Sequence, residues 1–393
     1  MLQGTVAFLV LVLFALVGSE LRGLLARRGL QAPAMEGLSF LVVGVALGEH
    51  GLGLFADDVL ASLRVVVLLG LAWIGLVFGL QIEWRVIRQL RPWHRVVGWT
   101  VPLCLGVAVW AGSAALRLEP SIAIALAGIA MAGAPSTIES IARGRSPTDR
   151  SALRLIKLVT AYSGLPAVVV FGIASALGSP VARPGTGGLP WWQIAVMITG
   201  FGFIAGYLVL TLVRGVSDRM SILTMVTGAM SGVAGASALL GASGLPAAAV
   251  AGAVIINRGT LPHRMLRVAH ALERPLLVAL LVLVGASWGG PSFAWPVLGV
   301  MVVGRWFGAV VGGSLLEAVA RRRRAGTGAP AIWLGLLPQG ELALGLVVAL
   351  VGFVPGTEGV LEAVVAAIVV HQLVGQWWLR RVLLPRRVEG GLS

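Results

Sequence analysis

Acidic residues are scarce in this chain of 393 residues. Sixteen Asp and Glu stand against 30 Lys and Arg, and no acid occurs between Arg150 and Asp218. Charged residues of both signs amount to 12%, roughly half the share of a soluble domain. The one cysteine, Cys104, lies in an apolar stretch. That excludes a disulfide framework and a cysteine-based metal site. No nucleophile–base pair, metal-ligand cluster or phosphate-binding glycine loop can be read, so the sequence points away from an enzyme and implies no cofactor.

What is present is apolar: 58% of the residues are hydrophobic and 54 are glycine. Apolar surface on that scale needs lipid as its solvent, and glycine is frequent where membrane helices pack closely. A net charge of +14 would suggest nucleic acid in a soluble protein. Here the arginines fall between apolar runs, where they act as orientation signals, and no nucleic-acid partner is expected.

A helix needs about 20 apolar residues to cross about 30 Å of hydrocarbon. Such runs occupy 5–19, 37–55, 59–80, 96–116, 121–142, 155–178, 189–213, 221–241, 244–256, 275–290, 294–316, 330–352 and 358–376. The first is read as a retained span rather than a signal peptide, because it lacks a basic leader and a cleavage site. With the N-terminus outside, 26 of the 30 basic residues fall in inner segments, two (Arg117 and Arg183) in outer ones, and Arg64 and Arg305 within spans. The positive-inside rule thus supports the count and the orientation together. The expected fold is an all-α polytopic membrane protein of about 13 helices, N-terminus out and C-terminus in, multi-pass in a cell (inner) membrane.

Two spans carry Pro and Gly near mid-depth. The fifth reads AGIAMAGAPSTIESIARG, with Gly133, Pro135, Ser136 and Thr137; the twelfth reads AIWLGLLPQGELALGLVV, with Pro338, Gln339 and Gly340. Proline removes a backbone donor and clashes with the preceding turn. In lipid the freed carbonyls survive only inside protein or beside a water-filled cavity. Interrupted spans at matching positions of two halves point to a transporter site. These do match: with the seventh span as connector, the fifth corresponds to the twelfth in opposite orientation, an inverted repeat with two discontinuous crossing helices.

Few ionisable residues lie at membrane depth, and each is a functional candidate by default. Glu341 directly follows the twelfth-span break. Glu139 lies one turn beyond the fifth-span break, towards the cytoplasm. Arg305 is near the middle of the eleventh span, and His371 is in the inner half of the thirteenth. A carboxylate at the positive end of a half-helix is stabilised as the anion, so both glutamates can be helix caps with Arg305 as counter-ion. Alternatively, one of them binds the cation or carries the proton. Ser136, Thr137 and Gln339 would then add neutral oxygens, as a hard cation requires. Asp57, Asp58, Asp149 and Asp218 read as solvated end residues.

These stretches resemble the monovalent cation–proton antiporter superfamily. LVVGVALGEHGLGLF is similar to its second span and LLGLAWIGLVFGLQIEWRVIR to its third. GAPSTIES stands in the place of the discontinuous fifth, and GASGLPAAAVAGAVIINR resembles the ninth. GRWFGAVVGG resembles the eleventh, where Arg305 matches the usual basic residue. GLLPQGELALGLVVA resembles the twelfth. The resemblance implies a homodimer that moves a monovalent cation and a proton across the bilayer by alternating access. It implies scaffold helices in 1–95 and 221–293, a linker helix in 189–220, and a transport core in 96–188 and 294–393.

One departure stands out. The family's sixth span carries an essential aspartate, whereas LIKLVTAYSGLPAVVV places Tyr162, Ser163 and Gly164 there. The fifth-span Thr-Asp-Pro is also missing, since Ile138 follows Thr137. The leading expectation is therefore an atypical cation–proton antiporter in which Glu139 takes the exchanging role. Its alternatives are a carrier of another solute, such as an organic anion, without proton exchange, and a non-transporting sensor or scaffold.

Overall fold

The computed structural model describes residues 33–142, 149–182, 188–216, 218–258, 262–288, 293–322, 332–354, 357 and 359–383. The expected first span and the basic residues Arg22, Arg27, Arg28, Arg143, Arg145, Arg183, Arg323, Arg324, Arg386 and Arg387 lie outside them. Among the described residues every expected span is helical and no β-strand forms. Nine helices among them are long and apolar enough to cross a membrane, and Gly244–Arg258 and Glu341–Phe353 are shorter apolar helices. The chain is an all-α, polytopic membrane protein.

The second span is Pro33–Leu47 and stops earlier than its apolar run. The chain then turns through Gly53 at φ +66°, a left-handed backbone that glycine adopts without a Cβ clash. The third span is Asp57–Ser62 followed by Arg64–Gly79. The fourth is Pro92–Ala115 and the sixth Arg150–Leu177. The seventh is Trp191–Leu212, the eighth Arg219–Leu239 and the ninth Gly244–Arg258. The thirteenth is Val360–Trp378.

The tenth span differs most from expectation. It runs Pro262–Ala286 rather than 275–290. Glu273, Arg274 and Pro275 read as a boundary, but the helix continues through them because its first three turns are amphipathic. The eleventh span passes from Trp295–Gly299 through a π-helical turn, Val300–Gly304, into Arg305–Arg322. Such a turn inserts an extra residue and re-aims the side chains beyond it, the first of which is Arg305.

Asp149 and Asp218 do more than meet solvent. Asp149 Oδ1 accepts from the backbone N–H groups of Ser151 (2.8 Å) and Ala152 (3.0 Å), capping the sixth span. Asp218 Oδ2 accepts from Ser221 N–H (2.8 Å) and caps the eighth. The Ser221 backbone bond, joined by the Ser221 hydroxyl, holds the Asp218 carboxyl below its ordinary range.

Two groups of helices pack by close approach. In one, the second span meets the tenth and the third meets the ninth and tenth, with the seventh and eighth alongside. A Cβ on Gly44 would collide with the Val282 carbonyl, and one on Gly285 with the Leu41 carbonyl. Only glycine permits that spacing, which is how membrane helices gain dispersion contact without a hydrophobic drive between them. In the other group, the fourth, fifth, sixth and eleventh spans pack together, and the thirteenth joins the twelfth. The fifth span is the most enclosed, 83% buried against 33% for the seventh and eighth. Its interruption therefore sits inside protein, as a broken membrane helix must.

Candidate functional site

Both interruptions form where Pro and Gly predict them. The fifth span stops at Met131 and resumes as Pro135–Ala142. The twelfth is a short 3-10 turn, Ile332–Leu336, followed by non-helical residues and then Glu341–Phe353. The two breaks touch. A Cβ on Gly340 would stand 3.1 Å from Ala134 Cα and 3.2 Å from Gly133 O. Pro338 seats against Gly375 of the thirteenth span, where a Cβ would fall 2.5 Å from the proline ring.

The freed backbone of the fifth-span break has a partner. Gly133 N–H donates to Ser163 Oγ (2.9 Å), and Ser163 in turn donates to Thr160 O (2.8 Å). The sixth span thus offers a neutral hydroxyl acceptor where the resembled family has an acid. Tyr162, next to it, packs over Gly98 of the fourth span.

Arg305 is fully buried. Its Nε donates to Leu337 O (3.3 Å), and its Nη2 donates to Leu336 O (3.1 Å), Leu337 O (3.1 Å) and Ala132 O (3.3 Å). Those carbonyls end the first halves of both broken spans, where partial negative charge collects. Arg305 was expected as counter-ion to Glu139 or Glu341, and the hydrogen bonds that the structure gives it run instead to the backbone. These bonds form because the carbonyl ends converge where the π-helical turn delivers the guanidinium.

A second buried network laces the crossing to the thirteenth span. Gln339 N–H donates to Gln372 Oε1 (3.1 Å), and Gln339 Nε2 donates to Ile129 O (2.8 Å). His371 Nδ1 meets Gln339 Oε1 at 2.9 Å, and Gln372 Nε2 donates to Thr137 Oγ1 (3.0 Å). Since the amide oxygen can only accept, His371 carries its proton on Nδ1 in this arrangement. Thr137 and Gln339, read as cation ligands, are engaged in holding the breaks together.

On the other side of the crossing lies a cavity of about 90 Å³. One water occupies roughly 10–15 Å³ on that measure, so a partly hydrated monovalent cation fits. Gly133, Pro135, Ser136, Gly340 and Glu341 form one wall with Thr160 and Gly164 of the sixth span. The other helix group contributes Ile74 and Phe78 of the third span, Gln81 just beyond its end, and Glu273 and Leu277 of the tenth. The charged residues of this lining are the two glutamates, and no Lys or Arg belongs to it. Among the described residues the cavity therefore carries one sign of charge and faces both packing groups.

The structure brings Gly133, Pro135, Ser136, Gly340 and Glu341 to the cavity. It puts Thr137, Gln339, Pro338 and Arg305 behind them, and Ser163 beneath Gly133. Glu139 is exposed on Pro135–Ala142 and does not line the cavity. Sequence reasoning missed Glu273, Gln81 and Gln372. Glu273 had a readable signal, an acid two residues before a proline at the edge of an apolar run. Gln81 and Gln372 had none, since a neutral amide near a span end is common.

No family model matches the sequence, and no curated protein matches it. Among solved structures, the chain is similar to the sodium proton antiporter MjNhaP1 from Methanocaldococcus jannaschii at pH 8. The TM-score is 0.66 at 13% identity, covering 96% of this chain and 97% of that one. At that identity the likeness shows the fold, which the two proteins share over almost the whole length of both chains.

Proposed function

We propose that the protein is a secondary transporter exchanging a monovalent cation for protons by alternating access, with Glu341 as the exchanging carboxylate. The observation that carries the reading is the small acidic cavity at the contact of two broken spans. Glu341 opens the second half-helix of the twelfth span, where the positive helix end favours its anion and leaves it competent to bind a cation or a proton. Ser136 and the backbone around Gly133 and Gly340 would complete an oxygen-lined site, the ligand type a hard cation requires. The geometry favours Glu341 over Glu139, which does not reach the cavity. A carrier of organic anions is disfavoured by two carboxylates without a base among the described lining residues.

Alternating access would move the fourth-to-sixth and eleventh-to-thirteenth spans against the second, third and eighth-to-tenth, with the seventh as linker. The two packing groups of helices support that division. We further propose a homodimer in a cell membrane, to be checked by the mass of the detergent-solubilised protein. The test of function is proton flux in proteoliposomes containing an internal pH dye, with Na⁺, K⁺ or Li⁺ pulsed against an imposed pH gradient. A cation-dependent pH change that disappears in Glu341→Gln supports the reading. No response to any of the three, from folded protein, overturns it in favour of another solute or a non-transport role.

A further inference from the structure

Glu273 lies outside every motif that pointed to the site, yet it lines the same cavity as Glu341 and comes from the other helix group. We infer that Glu273 is the second carboxylate ligand of the transported cation, supplied by the tenth span, so that the bound ion bridges the two helix groups. The inference rests on the antiport reading above and names what that reading leaves open: how ion occupancy is felt by the group that does not carry the breaks.

Two contacts hold Glu273 in place, and a proline two residues on perturbs its helix. The Trp73 side chain of the third span is fully buried, and its Nε1 donates to Ala269 O at 2.8 Å, pinning the turn before Glu273. His270 Nδ1 meets Glu273 Oε2 at 2.5 Å and fixes the carboxylate from one side. Pro275 lies inside the helix, and its missing N–H leaves the Ala271 carbonyl without its helical donor. Pro135 lines the cavity itself, and Pro275 stands two residues from the lining residues Glu273 and Leu277.

The Glu273 side chain is 18% exposed, so most of it is covered by protein. An ionised carboxylate in that position needs a counter-charge. His270 supplies one only when protonated, and it is more exposed, at 43%. The lining residues offer no Lys or Arg. A cation held between Glu273 and Glu341 neutralises charge on both helix groups at once. With no ion bound and both groups ionised, two negative charges line one small cavity and disfavour its closure. Binding of either a cation or protons removes that repulsion. Loaded forms can then close and move, whereas the empty, doubly ionised form cannot. That is the condition an exchanger needs.

The experiment uses the full chain in proteoliposomes, titrating Na⁺, K⁺ and Li⁺ for wild type, Glu273→Gln, Glu273→Asp and Glu341→Gln, each verified by size exclusion. Glu273→Gln is expected to raise the apparent KM for the cation by roughly tenfold or more, the scale of losing one charged ligand. Glu273→Asp should recover part of that loss, because it restores the charge with a shorter reach. A merely structural Glu273 would lower the amount of folded protein and leave KM alone. Wild-type KM in Glu273→Gln, with Glu341→Gln inactive, overturns this inference and leaves the antiport reading standing. Absence of cation-driven flux in wild type overturns both. If Glu273→Gln does not assemble, Glu273→Asp decides: a raised KM supports the bridging role, and an unchanged KM overturns it.

Discussion

The two broken spans solve one problem with different chemistry. In the fifth, the chain stops at Met131 and restarts at Pro135, and the freed Gly133 N–H is taken by the Ser163 hydroxyl. The solution is neutral and buried. In the twelfth, Gly340 precedes the half-helix without a side-chain cap, and Glu341 opens it at the cavity. That solution is charged and faces open space. Arg305 serves both by gathering the carbonyl ends from Ala132, Leu336 and Leu337. The difference teaches that a helix break alone does not make a transport site. The fifth-span break is closed off by its neighbour, and the twelfth-span break keeps a carboxylate where an ion could reach it.

The most severe way to break this comparison is to remove what the two share. Arg305→Leu should leave three buried carbonyls without a donor, on the scale of about 3–5 kcal/mol for disrupting a buried charged network. The folded fraction in detergent should fall sharply, while Arg305→Lys should be milder. A wild-type melting temperature in Arg305→Leu would mean that the carbonyl ends find other partners. Next comes Glu341→Gln, which removes the charge of the twelfth-span break and keeps its shape. Cation-driven proton flux should drop at least about tenfold, the kinetic equivalent of one charged contact, with melting unchanged.

Ser163→Ala tests the neutral side. It leaves the buried Gly133 N–H unsatisfied, at about 1–3 kcal/mol, so thermal stability should fall while the cation KM changes little. A large KM shift without destabilisation would make Ser163 a ligand rather than a cap. The smallest effect is expected for Glu139→Gln. An exposed substitution away from the cavity should stay within about 0.5 kcal/mol, or roughly twofold in rate. Abolished exchange in that variant would move the carrier role to the fifth span and invert the comparison.

Much of this was legible in the chain, and the failures have physical causes. The breaks at Gly133–Pro135 and Pro338–Gly340 could be read because Pro and Gly act on their own backbone. Glu341 could be read because it adjoins one of them. Arg305 was visible as a buried charge, but its partners were not. Carbonyls that accept from it come from residues 31, 32 and 173 positions away in the chain, and no local pattern records that. Thr137 and Gln339 looked like free oxygen donors until His371 and Gln372 claimed them. Glu273 was not singled out, since it lies just outside the apolar run 275–290. The helix begins earlier, at Pro262, and so carries Glu273 to the cavity.

By itself the sequence determined the solvent, the approximate spans, and where two helices must be interrupted. Those follow from the bilayer's thickness, from the cost of unpaired backbone groups in lipid, and from the geometry of proline, all of which act locally or through composition. Tertiary structure alone decided which break is sealed and which is open, and which polar groups are consumed in holding the crossing. It also decided that a glutamate from the tenth span shares a cavity with one from the twelfth. Such choices depend on which distant groups come within hydrogen-bonding reach once glycines let the helices close up, and that is a property of the packed molecule.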